Sequence, residues 1–200
     1  MSERVCVEIG GKRSIAGWRS IGNRNNVAKV INVITDDIDE EDDSVDYFYM
    51  SHVIEHIPIP NAEGVLKKLH KKLKLGGKLR IVCPDLAFIL KAYQERNSSV
   101  FNNSSYQLGT VPESYSRLGI GGFVVGQIVT GMINDENDSY LFTKRNGGDY
   151  VCTFSHVSAW DFEMLEKLLT IVGFSNVIRT DLEDIDPHRK GGQLCVNAFK

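Results

Sequence analysis

Between Asp43 and Asp85 the chain spells out one complete β-α-β unit. Val45 to Ser51 (V-D-Y-F-Y-M-S) is a β-rich run, and a polar cluster, His52-Val53-Ile54-Glu55-His56, stands at its carboxyl end. An amphipathic helix follows. Leu66, Leu69 and Leu73 form its apolar stripe, and Lys67, Lys68, Lys71, Lys72 and Lys74 make a solvated face. Asn61 reads as the N-cap, Glu63 lies in a first turn that favours an acid, and Gly76 ends the helix. Leu79 to Cys83 is then an apolar strand closed by Pro84. Two strands joined through a helix pair in parallel, and parallel sheets are covered on both faces. The polar cluster therefore stands where open α/β sheets bind their ligands.

The rest of the chain repeats the alternation. Val5 to Ile9 is a short strand ending at Gly10-Gly11, and Val27 to Thr35 reads as another. The stretch between them, with Gly17-Trp18 and Ile21, has room for a short strand but not for a long helix. Asp85 caps a helix bearing Leu86, Ile89, Leu90 and Tyr93 on one face. Ser158-Ala159-Trp160-Asp161 is a capping pattern before Phe162, Leu165, Leu168, Leu169 and Val172, with Gly173 as the stop. Val177 to Thr180 and Leu194 to Phe199 close the chain as strands. The expected fold is α/β: a Rossmann-like, mostly parallel sheet with helices on both faces, in a single domain spanning 1–200. Residues 97–150 stand apart as an insertion or lid-like segment. Within it, the apolar run from Ser114 to Ile133 suits a buried helix, and its glycines at 119, 121, 122, 126 and 131 oppose one.

Composition excludes several classes. A net charge of −3 gives no reason to expect a nucleic-acid partner. The longest apolar run, Ile120 to Ile133, is too short to span a bilayer, and the amino terminus lacks a signal-peptide core, so no membrane partner and a cytoplasmic location are expected. Cys6, Cys83, Cys152 and Cys195 have no C-x-x-C spacing and read as buried, reduced thiols. Eight of the eleven residues from Asp36 to Asp46 are acidic. That loop lacks the glycine and the glutamate of a calcium site, so it reads as a solvated connection.

His52 to His56 matches H-x-x-E-H, an inverted zinc-protease signature. That chemistry needs both histidines one turn apart on a rigid helix, and Pro58 and Pro60 oppose helix there. No metal is expected on this ground. Glu55 reads instead as a buried acceptor for backbone amides, and His56 as a packing residue. No G-x-G-x-x-G follows the first strand, which argues against a dinucleotide-dependent dehydrogenase.

Taken together, H-V-I-E-H at 52–56, L-K-L-G-G-K-L at 73–79, L-R-I-V-C-P-D at 79–85 and the opening Ile9-Gly10-Gly11 and Gly17-Trp18 resemble class I S-adenosylmethionine-dependent methyltransferases. His156, Trp160-Asp161 and Gly173-Phe174 resemble the end of the same group. The resemblance implies that the first and fourth strands lie side by side and that S-adenosylmethionine binds at their carboxyl ends. Glu8 would then orient the methionine ammonium. Gly10 and Gly11 would admit the ligand, and Ser51 and His52 would line the crevice. Asp36 or Asp37 would meet the adenine amino group, and Asn23 would stand where the family places a ribose-binding acid. His52 and His156 are the candidate catalytic bases, acting on a small-molecule or glycan-like acceptor. Lys12 and Ser14 replace the second and third glycines of the family's first motif. The alternative is accordingly a catalytically inactive binding module that has lost its cofactor. In either case 97–150 serves as substrate lid or as a homodimer contact.

Overall fold

The computed structural model describes residues 4–10, 15–22, 28–102, 116–128, 143–144, 150–151, 156–186 and 191–200. Seven strands form one sheet: β1 (Cys6–Ile9), β2 (Arg19–Gly22), β3 (Lys29–Val30), β4 (Val45–Ser51), β5 (Leu73–Pro84), β6 (Ser175–Thr180) and β7 (Gln193–Phe199). Their order is β3-β2-β1-β4-β5-β7-β6. The first five pair in parallel, and β7 runs antiparallel to both β5 and β6. Strand order reverses between β1 and β4, so the crevice of this sheet lies at their carboxyl ends.

Alternation along the strands divides the core. Val7, Ile9, Phe48, Met50, Leu79, Ile81, Leu194 and Val196 face one side, where α1 (Ile59–Lys72) and a later helix, Phe162–Val172, cover them. Tyr47, Tyr49, Val82 and Cys195 face the other, packed with Ile15, Trp18, Leu182 and Ile185. Trp18 meets Tyr47 edge-on at 4.8 Å, so its place is this second core. Arg80 is fully buried on the same side. It bonds Thr180, Glu183, Asn197, the Asp181 carbonyl and both oxygens of Asp186, which also accepts from Tyr49. Strand residues of alternating character thus give one dry face and one ion-paired face.

Helix α1 starts earlier than its sequence suggests. Pro58 stands at its N-cap and Pro60 in its first turn, where a missing amide costs nothing. Asn61 is inside the helix, and Glu63 pairs with Lys67 instead of meeting the dipole. The chain passes from Lys72 straight into β5, so Leu73 is a strand residue. Gly76, at φ +77°, lies in the irregularity of β5 between its pairings with Val45 and Tyr47 instead of ending the helix.

The lysine-rich face is not merely solvated. Lys71 and Lys72 pair with Asp42, Lys200 pairs with Asp43, and Lys68 Nζ donates to the carbonyls of Val33, Ile34 and Asp36. The acidic loop is held onto the helix by these cations. A second helix, α2 (Leu86–Gln94), is capped by Asp85, whose Oδ1 accepts from the Ala87 amide at 3.0 Å. Ser99–Asn102 is a short turn of helix, and α3 (Ile120–Ile128) packs Phe123 on Phe101 with rings 5.3 Å apart. The last helix, α4 (Phe162–Val172), is capped by Asp161 and stopped by Gly173 at φ +112°.

Candidate active site

Gly10 leaves β1 at φ +98°, a conformation that side chains with a Cβ avoid. Its amide donates to the Ile21 carbonyl at 2.7 Å, and a Cβ placed on it would stand 2.4 Å from Val53 Cγ2. Glycine is therefore demanded here twice, by backbone and by a protein neighbour. Glu8, two residues earlier, is buried in register with Ser20 on one side and Tyr49 on the other. Gly11 and Asn23 lie outside the described residues. Asp36 and Asp37 are exposed in the loop after β3. Asp36 accepts from the Asn32 amide and the Thr35 hydroxyl, which holds its carboxyl below the usual range, and Asp37 accepts from the Ile38 amide.

Across the crevice, Ser51 ends β4 and is half-buried. His52 adopts φ +53°, with its amide donating to the Val82 carbonyl at 2.8 Å. Such a turn costs a non-glycine residue on the order of 1–2 kcal/mol. It delivers the imidazole to Glu55, and Nδ1 donates to Oε1 at 3.0 Å. Glu55 is 2% exposed, on the 3-10 turn Ile54–His56. Burial pushes its carboxyl up, but the His52 hydrogen bond and the charges of His52, His56 and His156 outweigh this and bring the pKa to about 2. Oε2 is buried with no hydrogen-bond partner among the described residues.

The expected role of Glu55 toward backbone amides belongs to its carbonyl, which accepts from Val157 and Ser158 at 2.9 and 3.1 Å. Ser158 Oγ donates to the Ile54 carbonyl, and Trp160 Nε1 donates to Ser158 Oγ at 2.8 Å. Ser158 is thus spent on this contact, and Asp161 caps α4 in its stead. These bonds lay 156–160 along the turn and bring His156 into the cluster. Its Nδ1 lies 2.8 Å from the Gln127 carbonyl of α3, its Nε2 3.9 Å from Glu55 Oε1, and its ring 5.1 Å from that of His56. The two candidate bases, His52 and His156, thus share one carboxylate. Glu55 and His56 are functional candidates that the packing reading of the sequence passed over. The H-x-x-E-H pentad was the available signal, without its helix.

Residues 7–81 match the family model described as Methyltransferase domain. No curated protein sequence matches the chain. Among solved structures, the chain is similar to a SAM-dependent methyltransferase from Methanosarcina mazei, at 17% identity and TM-score 0.51 over 100% of this chain and 94% of that one. It is similar to another from Thermotoga maritima at 16% and 0.50, over 100% of this chain and 84% of that one. A Nostoc punctiforme O-methyltransferase candidate aligns at 11% and 0.51 over 98% of this chain, which spans only 52% of that longer one. No described helix is long and apolar enough to cross a membrane. By the order and direction of its strands, and by its likeness to these solved structures, the chain has the class I methyltransferase fold.

Proposed function

We propose that the chain is an S-adenosylmethionine-dependent methyltransferase modifying a small-molecule or glycan-like acceptor. The observation that carries this reading is the switch-point crevice, where the glycine turn after β1 faces the histidine-bearing turn after β4. Neighbours described as SAM-dependent support the cofactor. Glu8, buried just before the turn, suits the methionine ammonium, and Gly10 suits close backbone approach. The bound cofactor supplies an already activated methyl group.

What remains for the protein is placement and one proton. With Nδ1–H held on Glu55, the neutral form of His52 has its lone pair on Nε2, the arrangement of a general base for a hydroxyl or amine. The 97–150 segment supplies the acceptor side in this reading, since the Gln127 carbonyl of α3 orients His156. Free Cys6, Cys83 and Cys195 fit a reducing, cytoplasmic setting.

One observation favours the inactive binding module. Close approach to Gly10 is taken by the Val53 side chain, and Lys12 and Ser14 follow in place of glycines. Calorimetric titration with S-adenosylmethionine and S-adenosylhomocysteine separates the two. Saturable heat and a raised melting temperature support the enzyme, and neither effect at millimolar ligand leaves the module.

A further inference from the structure

We infer that Glu55, His56 and His156 form a binding site for a first-row divalent transition metal, with zinc as the natural probe. One ligand atom from each lies within 4.8 Å of the others. In a tetrahedral zinc site the corresponding atoms are about 3.4 Å apart, as bonds of about 2.1 Å require. The side chains therefore need to close by little more than an ångström.

Two further observations point to a cation at this place. Glu55 Oε2 is sealed from solvent without a hydrogen-bond partner among the described residues, and a buried carboxylate oxygen in that state costs free energy that a cation removes. The Gln127 carbonyl can only accept, so His156 Nδ1 bears a proton, and in the neutral form of the ring the Nε2 lone pair faces Glu55. A lone pair facing a carboxylate at 3.9 Å is repulsive until a positive charge stands between them. A backbone carbonyl on the far nitrogen is also what metal-ligating histidines have.

The donor set selects the class of metal. Two imidazoles and one carboxylate suit zinc, iron or cobalt and are poor for magnesium or calcium, which prefer oxygen. Three protein ligands leave a coordination position open. Cys83 does not compete as a ligand. The ligand atoms that converge here belong to Glu55, His56 and His156, and the Cys83 thiol is not among them. The sequence expectation of no metal rested on the missing helix. The fold replaces that helix with a residue a hundred positions away.

The test needs no methyl donor, so its failure leaves the methyltransferase proposal standing. The purified chain is stripped with EDTA and titrated with zinc chloride by calorimetry, and with cobalt(II) by visible spectroscopy. The expected result is one zinc per chain, a raised melting temperature, and cobalt bands of a nitrogen–oxygen site without sulfur charge transfer. His56→Gln and His156→Gln should each weaken zinc binding roughly tenfold or more, and His70→Gln should not. Absence of zinc binding, equal affinity in His56→Gln and His156→Gln, or an intense sulfur–cobalt band would each overturn the site. The cobalt spectrum of the unmutated chain decides the matter even where the variants fail to fold.

Discussion

The Ser158 hydroxyl donates to the carbonyl of Ile54 at 3.1 Å, across more than a hundred positions of sequence. It also accepts from Trp160 Nε1, so one side chain ties the final third of the chain to the turn that carries Glu55. Ser158→Ala leaves a buried indole N–H with only the longer 3.3 Å contact to Ile54. Urea unfolding should show a loss of about 1–3 kcal/mol.

Gly10→Ala should destabilise through two separable causes. The positive φ costs about 1–2 kcal/mol, and the new methyl collides with Val53. Adding Val53→Ala should recover the steric part alone. Full recovery in the double variant, measured by denaturant midpoint, would show that backbone conformation is not limiting.

Arg80→Leu removes the partner of buried Asp186 and should cost about 3–5 kcal/mol. Lys67→Ala, which breaks an exposed pair with Glu63 one turn away, should cost no more than about 0.5 kcal/mol. Equal effects in chemical denaturation would mean that the second face is not held by its ion pairs.

Acid should weaken the fold through Glu55. Its carboxyl falls from an ordinary value of 4.5 to about 2, so the unfolded chain takes up this proton first as pH drops. The stabilisation is complete above pH 4.5 and disappears between 4.5 and about 2. Urea midpoints across that window should slope downward toward acid, and Glu55→Gln should flatten the slope.

His52→Asn tests the proposed base while respecting the backbone, since asparagine accepts φ near +53° better than alanine does. Turnover against a panel of small hydroxyl and amine acceptors should fall by roughly 10²- to 10⁴-fold with the melting temperature little changed. Undiminished turnover would remove His52 from the chemistry.

Local physics made much of this fold readable. Val45 to Ser51 announced β4, Asp85 its cap, and Gly173 its left-handed stop, because each acts on near neighbours. What failed was tertiary in origin. Of the expected strand from Val27 to Thr35 only Lys29–Val30 pairs among the described residues, because Asn32, Thr35 and Asp36 close a turn on one another. The lysines of α1 looked solvated because their partners, such as Asp42, lie some thirty residues away. The same holds at the site. His52 was recognisable from the strand end, but the meeting of His156 with Glu55 depends on Ser158 and Trp160, which no local pattern reports.

Asp85 and Trp160 stand as neighbours in a parallel bridge, and the Leu86 amide donates to the Trp160 carbonyl at 2.9 Å. The chain thus leaves the sheet at Asp85 and returns beside that same point at Trp160. A descendant with a different length of chain between α2 and His156 would keep the same sheet, because loop closure depends only weakly on length. Novelty in what the protein recognises has an inexpensive place to arise.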